Sequence, residues 1–172
     1  AENALHWKEQ GFTAAKTGPL QVVDGVIRLP ESLIRGVAKI QAMRDAVGDG
    51  FDILIDAHGQ LTPTMAVEYA ERVKEYRPMF LEECTQPEDL DALAWLAARV
   101  QVPLATGERL FTKWGFSDLC HRHLVNYIQP DVVHCGGITE LKKICAIAQA
   151  HHVLVAPHNA QGPVCTAACL HV

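Results

Sequence analysis

Five polar residues recur along this chain at nearly constant intervals, each closing a short apolar run. Asp56 closes FDILID, Glu82 closes MFLE, Glu108 closes PLATGE, Asp131 closes NYIQPD and His158 closes VLVAPH. The successive intervals are 26, 26, 23 and 27 residues. An interval of that size holds one strand, one helix and two loops, so the chain is constrained to repeat a strand–helix unit. Packing does not require a charged residue at the same point of every unit. Where parallel strands close into a barrel, the C-terminal ends of the strands line its mouth, and that is where its chemistry is done.

The segments between these points fit that reading. FTAAK (12–16) reads as a further strand, followed by a Gly/Pro-punctuated loop reaching Pro30. ESLIRGVAKIQAMRDAV carries Leu33, Ile34, Val37 and Ile40 at helical spacing, and GDG (48–50) closes it. Thr62 followed by Pro63 predicts a helix start, with the helix running through Tyr76. EDLDALAWLAARV and the segment around Ser117–His123 read as helices. Thr139 is expected to cap a helix with Leu141, Ile144, Cys145 and Ala148 on one stripe, and another helix is expected from Gly162 onward. Six strands alternating with helices predict an α/β fold with a parallel sheet. The competing doubly wound sheet lacks support, because no GxGxxG opens a helix after any strand. A TIM-like barrel is therefore expected. Ala1 to Gln10 is helix-like without a start signal, and CTAACLHV stops as if in mid-helix. These ends predict a piece of a longer protein, with 1–172 forming one partial barrel domain.

Composition narrows the partners. The net charge of −5 and the lack of any Lys/Arg run argue against a nucleic-acid or membrane surface. No apolar stretch approaches the roughly 20 residues of a membrane-spanning helix, and no signal peptide opens the chain. The 6 cysteines (84, 120, 135, 145, 165 and 169) have no CxxC spacing, which fits reduced thiols in a cytoplasmic protein. Cys165 and Cys169 are spaced to share one buried helix face.

The periodic residues suggest their own chemistry. Asp56, Glu82 and Glu108 end adjacent strands and are expected to converge. Three converging carboxylates repel unless a cation lies among them, and hard oxygen ligands suit Mg²⁺. Asp131 and His158 end the next two strands, so the carboxylate can accept from one ring nitrogen and leave the other as a general base. His58 stands two residues after Asp56, a strand spacing that places both on one face; it could serve as a metal ligand, but beside an oxygen-liganded cation it is read as the proton donor to a leaving group. Lys16 ends the first strand as an inward cation for a substrate carboxylate or hydroxyl. Glu83 is expected to point away from Glu82, either supporting the site residues from behind or facing outward. The remaining histidines (6, 121, 123, 134, 151, 152 and 171) are read as surface or packing residues.

These motifs resemble the enolase superfamily. The text DAHG (56–59), FLEE (80–83), PLATGER (103–109), YIQPDVVHCGGITE (127–140) and APHNAQGP (156–163) is similar to its mandelate racemase/muconate lactonizing branch. Within that branch it resembles acid-sugar dehydratases of the D-galactonate dehydratase type. The resemblance implies a (β/α)₇β barrel with a separate capping domain; this chain is expected to lack the cap and the first and last strands. It also implies Asp56, Glu82 and Glu108 as Mg²⁺ ligands. Asp131–His158 becomes the dyad that removes the proton α to a carboxylate, giving an ene-diolate. Many racemases of the branch carry Lys-x-Lys where this chain has Ala14-Ala15-Lys16, leaving one lysine. The DxH of Asp56 and His58 and the long loop after Lys16 match dehydratases instead. Cys84 replaces a common proline. The expected activity is dehydration of a sugar acid, an aldonate or aldarate, to a 2-keto-3-deoxy acid, in a protein that is a homo-oligomer at full length. A racemase or epimerase of a 2-hydroxy acid, or an inactive truncated barrel, are the alternatives.

Overall fold

The computed structural model describes residues 1–18, residue 20 and residues 31–172. The expected loop after Lys16 therefore lies largely outside the described residues. The chain forms two compact units, the first from Ala1–Gln86 with Ala98–Pro103, the second from Pro87–Ala97 with Leu104–Val172.

The first unit runs α1 (Glu2–Glu9), β1 (Ala14–Thr17), α2 (Glu31–Val47), β2 (Asp52–Asp56), α3 (Pro63–Val73), a 3₁₀ turn (Lys74–Tyr76) and β3 (Phe80–Glu82). Its strands are parallel in the order β1-β2-β3, and the register places Asp56 beside Glu82. Ile53, Ile55, Phe80 and Leu81 of the strands, Leu33, Ile40, Met43 and Val47 of α2 and Ala66, Tyr69, Ala70 and Val73 of α3 are almost fully buried and make up its core. The buried stripe of α2 runs through Leu33, Gly36 and Ile40, whereas Ile34 is 55% exposed and Val37 half-buried. Gly36 is closely packed on this side: a Cβ there would meet the Tyr69 ring at 3.2 Å. At the N-terminus of α3, the Thr62 Oγ1 accepts from the Met65 N–H at 3.3 Å, with Pro63 in the first turn. Arg44 ties down the far end of the unit, donating to the carbonyls of Gly48, Phe51, Tyr76 and Arg77.

The second unit runs α4 (Leu90–Ala97), β4 (Leu104–Thr106), α5 (Thr112–His121), β5 (Tyr127–Ile128), α6 (Ile138–Ala150), β6 (Leu154–Val155) and α7 (Pro163–Leu170). β4, β5 and β6 are parallel, with Thr106 opposite Ile128 and Ile128 opposite Val155. The strands stop short of Glu108, Asp131 and His158. Gly107, at φ 139°, turns the chain after β4, and Pro130 lacks the N–H that would continue the β5 ladder. A single parallel bridge, Asp131 to His158, resumes the pairing beyond both. Phe116, Leu119, Ile128, Leu141, Ile144 and Ala148 form the core. Thr139 does not cap α6: Gly137 holds that position at φ 85°, and Thr139 lies inside the helix.

α5 lacks a side-chain cap of its own, and Glu140 of α6 substitutes for one. Its Oε1 accepts from the Lys113 backbone N–H at 3.0 Å, while Lys113 Nζ and Lys143 Nζ lie 3.4 and 3.1 Å from its carboxylate. These donors, led by the Lys113 N–H, pull the Glu140 carboxyl down to about 2. A group whose folded pKa is depressed contributes stability above its unfolded pKa and loses it as pH falls through the folded value. Glu140→Gln is therefore expected to flatten the loss of stability between about pH 4.5 and 2 in acid unfolding followed by circular dichroism. An unchanged acid limb would show that the link contributes nothing.

Candidate functional site

The first unit gathers Lys16, Asp56, His58 and Glu82. Asp56 and Glu82 are the last residues of β2 and β3, with side chains 5% and 0% exposed. Lys16 Nζ reaches both carboxylates, 2.7 Å from Glu82 Oε1 and 3.5 Å from Asp56 Oδ2. Two buried carboxylates side by side need a nearby positive charge, and here the ammonium supplies it. The donor set therefore fits a hard dication: all oxygens, ionic, and already organised around one cation. Lys16 is an ion-pair partner of these acids in this arrangement. Sequence reasoning missed that link, although the place of Lys16 on the strand next to β2 was its signal.

His58 reaches Asp56 by a route other than strand alternation. The strand ends at Asp56, and His58 has φ 51°, off the strand. A tight turn makes the contact instead: the His58 N–H donates to Asp56 Oδ1 at 2.9 Å, and its Nε2 lies 3.0 Å from Asp56 Oδ2. The ring is 57% exposed, and its other nitrogen faces the neighbourhood of Gly18. Glu83 is likewise off the strand at φ 50° and is 1% exposed, so it is a buried residue and not an outward one. Behind it, burial first and the charges of Glu83, Asp56 and Glu82 next push the Cys84 thiol up and keep it protonated.

The second unit gathers Glu108, Asp131 and His158. Asp131 is fully buried; its Oδ1 accepts from the Val133 N–H at 2.8 Å and its Oδ2 lies 2.8 Å from His158 Nδ1. Burial by itself would raise this carboxyl. The His158 hydrogen bond, the Val133 N–H and the charges of His134 and His158 outweigh it and hold the group below its usual range. An ionised carboxylate only accepts, so Nδ1 of His158 must donate, and in the neutral ring the lone pair lies on Nε2. That nitrogen faces Glu108, with Oε2 3.5 Å away. His158 is 17% exposed, open enough to meet a ligand.

Glu108 is aimed by Gly107. A Cβ on Gly107 would lie 2.8 Å from Phe116 Cε1 and 2.9 Å from the Gln129 N, at φ 139°. Gly107→Ala is expected to destabilise the chain by about 3 kcal/mol, seen as a lowered urea midpoint. A loss below about 0.5 kcal/mol would show that the turn yields easily.

The 6 cysteines are all free thiols, and 4 of them are buried. Cys165 is buried and Cys169 half-buried on α7, so their shared face is only partly covered. No helix among the described residues is long and apolar enough to cross a membrane.

The family model described as Enolase C-terminal domain-like matches residues 1–172. A D-galactonate dehydratase of Ralstonia pickettii (strain 12J) is 38% identical over 148 residues, covering 86% of this chain and 39% of that protein. The solved structure of a mandelate racemase/muconate lactonizing enzyme from Jannaschia sp. CCS1 superposes with a TM-score of 0.92 at 35% identity, covering 99% of this chain and 45% of that one. The 3,6-anhydro-D-galactonate cycloisomerase of Zobellia galactanivorans gives a TM-score of 0.87 at 30% identity, covering 99% and 46%. The chain thus spans less than half the length of these relatives. Along all of its own length it belongs to the enolase C-terminal domain-like family, and its alternating strands and helices are those of that family's TIM-like barrel.

Proposed function

We propose that the 172 residues act as one partial barrel domain of a Mg²⁺-dependent hydro-lyase converting a sugar acid to a 2-keto-3-deoxy acid. The observation that carries the reading is the Asp131–His158 contact, a buried carboxylate 2.8 Å from Nδ1 that leaves Nε2 as the base. Family membership and the likeness to a D-galactonate dehydratase support the substrate class. Asp56, Glu82 and Glu108 are the residues that would hold Mg²⁺; the equal intervals between them, at equivalent points of three successive units, support that assignment. When bound, Mg²⁺ supplies positive charge for the substrate carboxylate as it takes up electron density.

The chain's own residues carry the rest. His158 takes the C2 proton on Nε2, and Asp131 holds the resulting imidazolium in place. The electron pair left at C2 is delocalised into the carboxylate as an ene-diolate, then returns to expel the C3 hydroxyl. His58 gives that hydroxyl its proton. Only a doubly protonated ring, bonded to Asp56 through Nε2, has a second N–H to give, from Nδ1. The products are water and an enol, which becomes the 2-keto acid. Lys16, engaged by Asp56 and Glu82, serves as their counter-charge and comes to the substrate carboxylate or hydroxyl only by exchanging partners. We place the enzyme in the cytoplasm, as a homo-oligomer at full length.

The test is a sugar-acid library offered, with Mg²⁺, to a polypeptide containing these residues, with 2-keto acid formation as the readout. Dehydration of at least one aldonate or aldarate supports the reading. Epimerisation without dehydration would replace it with a racemase, and silence across the library with an inert barrel.

A further inference from the structure

An acid must have room beside the atom that gives the proton, and at His58 that room depends on Gly18. Gly18 directly follows β1, one residue past Thr17, which pairs with Ile55. A Cβ on Gly18 would lie 3.5 Å from His58 Cε1, 3.6 Å from His58 Nδ1 and 3.6 Å from the Asp56 carbonyl oxygen. His58 Nε2 is taken by Asp56 at 3.0 Å, so Nδ1 is the ring nitrogen left for a ligand. A side chain at position 18 would start against that working edge of the ring.

Neither backbone nor packing requires a glycine there. The φ of Gly18 lies outside the left-handed region, so an L side chain is not strained. The three distances are ordinary van der Waals separations, and no described atom is nearer, so a methyl group fits without displacing its described neighbours. The residue is exposed, and its carbonyl accepts from Lys39 Nζ of α2 at 3.4 Å, a contact that a side chain leaves in place. Gly107 is the opposite case, with φ 139° and a Cβ that would clash at 2.8 Å. Where alanine fits, it stabilises a chain by restricting the unfolded state. A glycine in such a place points to a use for the space itself.

We propose that Gly18 is a positioning residue for the acid step: its missing side chain keeps the Nδ1 edge of His58 open to the substrate's C3 hydroxyl. The hydroxyl oxygen must come within about 2.7–3.2 Å of Nδ1 to take its proton, on the side where a Cβ would stand. The inference rests on the reading of His58 as the acid.

Gly18→Ala and Gly18→Val, in a polypeptide containing these residues, test it. Both should melt no lower than the unsubstituted protein. With Mg²⁺ and the sugar acid, 2-keto acid formation should fall about tenfold or more in Gly18→Ala and further in Gly18→Val, as expected when a reacting group is displaced. Exchange of the C2 hydrogen in D₂O should persist, because His158 removes that proton. Without substrate, carbethoxylation of His58 by diethyl pyrocarbonate, read by peptide mass mapping, should slow in the same order. Slower labelling in a polypeptide that dehydrates nothing would remove the dehydratase reading and still support Gly18 as the residue that opens the ring edge. Unchanged labelling and dehydration in Gly18→Val would overturn the inference. So would a lowered melting temperature with exchange and dehydration lost together, which would make Gly18 a packing residue.

Discussion

His158→Asn should lower turnover of the sugar acid by about 10²- to 10⁴-fold, the usual contribution of a positioned acid–base group. KM should change little, because the proton on C2 is not what binds the substrate. The substitution leaves the fold intact: the ring is partly solvent-exposed, and asparagine can still donate to Asp131. In D₂O the variant should also fail to exchange the C2 hydrogen, since Nε2 of His158 is the proposed base. Steady-state assay with NMR-detected exchange measures both. Turnover within about tenfold of the unsubstituted enzyme would place the base elsewhere, with Lys16 the first candidate.

Glu82→Gln should remove most of the response to Mg²⁺. With Mg²⁺ at about 100 times its Kd, the unsubstituted protein gains about 2.7 kcal/mol by mass action. Replacing a fully buried carboxylate of the ligand set should cut Mg²⁺ affinity more than tenfold and largely abolish that gain. Thermal unfolding with and without Mg²⁺ measures it, and an equal Mg²⁺ shift in both proteins would remove Glu82 from the ligand set. The chain should still fold without metal, because Lys16 retains Asp56 as a partner.

The alternation of strand and helix was legible in the sequence because each period was complete. The apolar run of β2, the Thr62–Pro63 start of α3 and all of α2 are local signals, and the structure places those elements there. The acids were legible for the same reason, since a charge recurring after each apolar run has no packing rationale. What failed was inference from ideal strand geometry beyond the strand ends. His58 and Glu83 both follow a strand's last residue and turn into positive φ, so alternation says nothing about where they point. The face of α2 was placed only in part: Leu33 and Ile40 of the expected stripe are buried, but Ile34 is exposed and Gly36, packed against Tyr69, takes a place on the buried side. Thr139 failed because Gly136 and Gly137 supply the turn, leaving no position for a side-chain cap. The Lys16 bridge depends on strand order, which no local window contains.

The most direct measurement of the central claim is the fate of substrate with His58→Asn in D₂O. The proposed chemistry is divided between two histidines, one removing the C2 proton and one protonating the departing C3 hydroxyl. With His158 intact, the variant should still wash deuterium into C2 of the recovered sugar acid. Its rate of 2-keto acid formation should fall by about 10²-fold or more. Dehydration at the unsubstituted rate, or loss of exchange together with dehydration, would contradict the assignment of His58 as the acid.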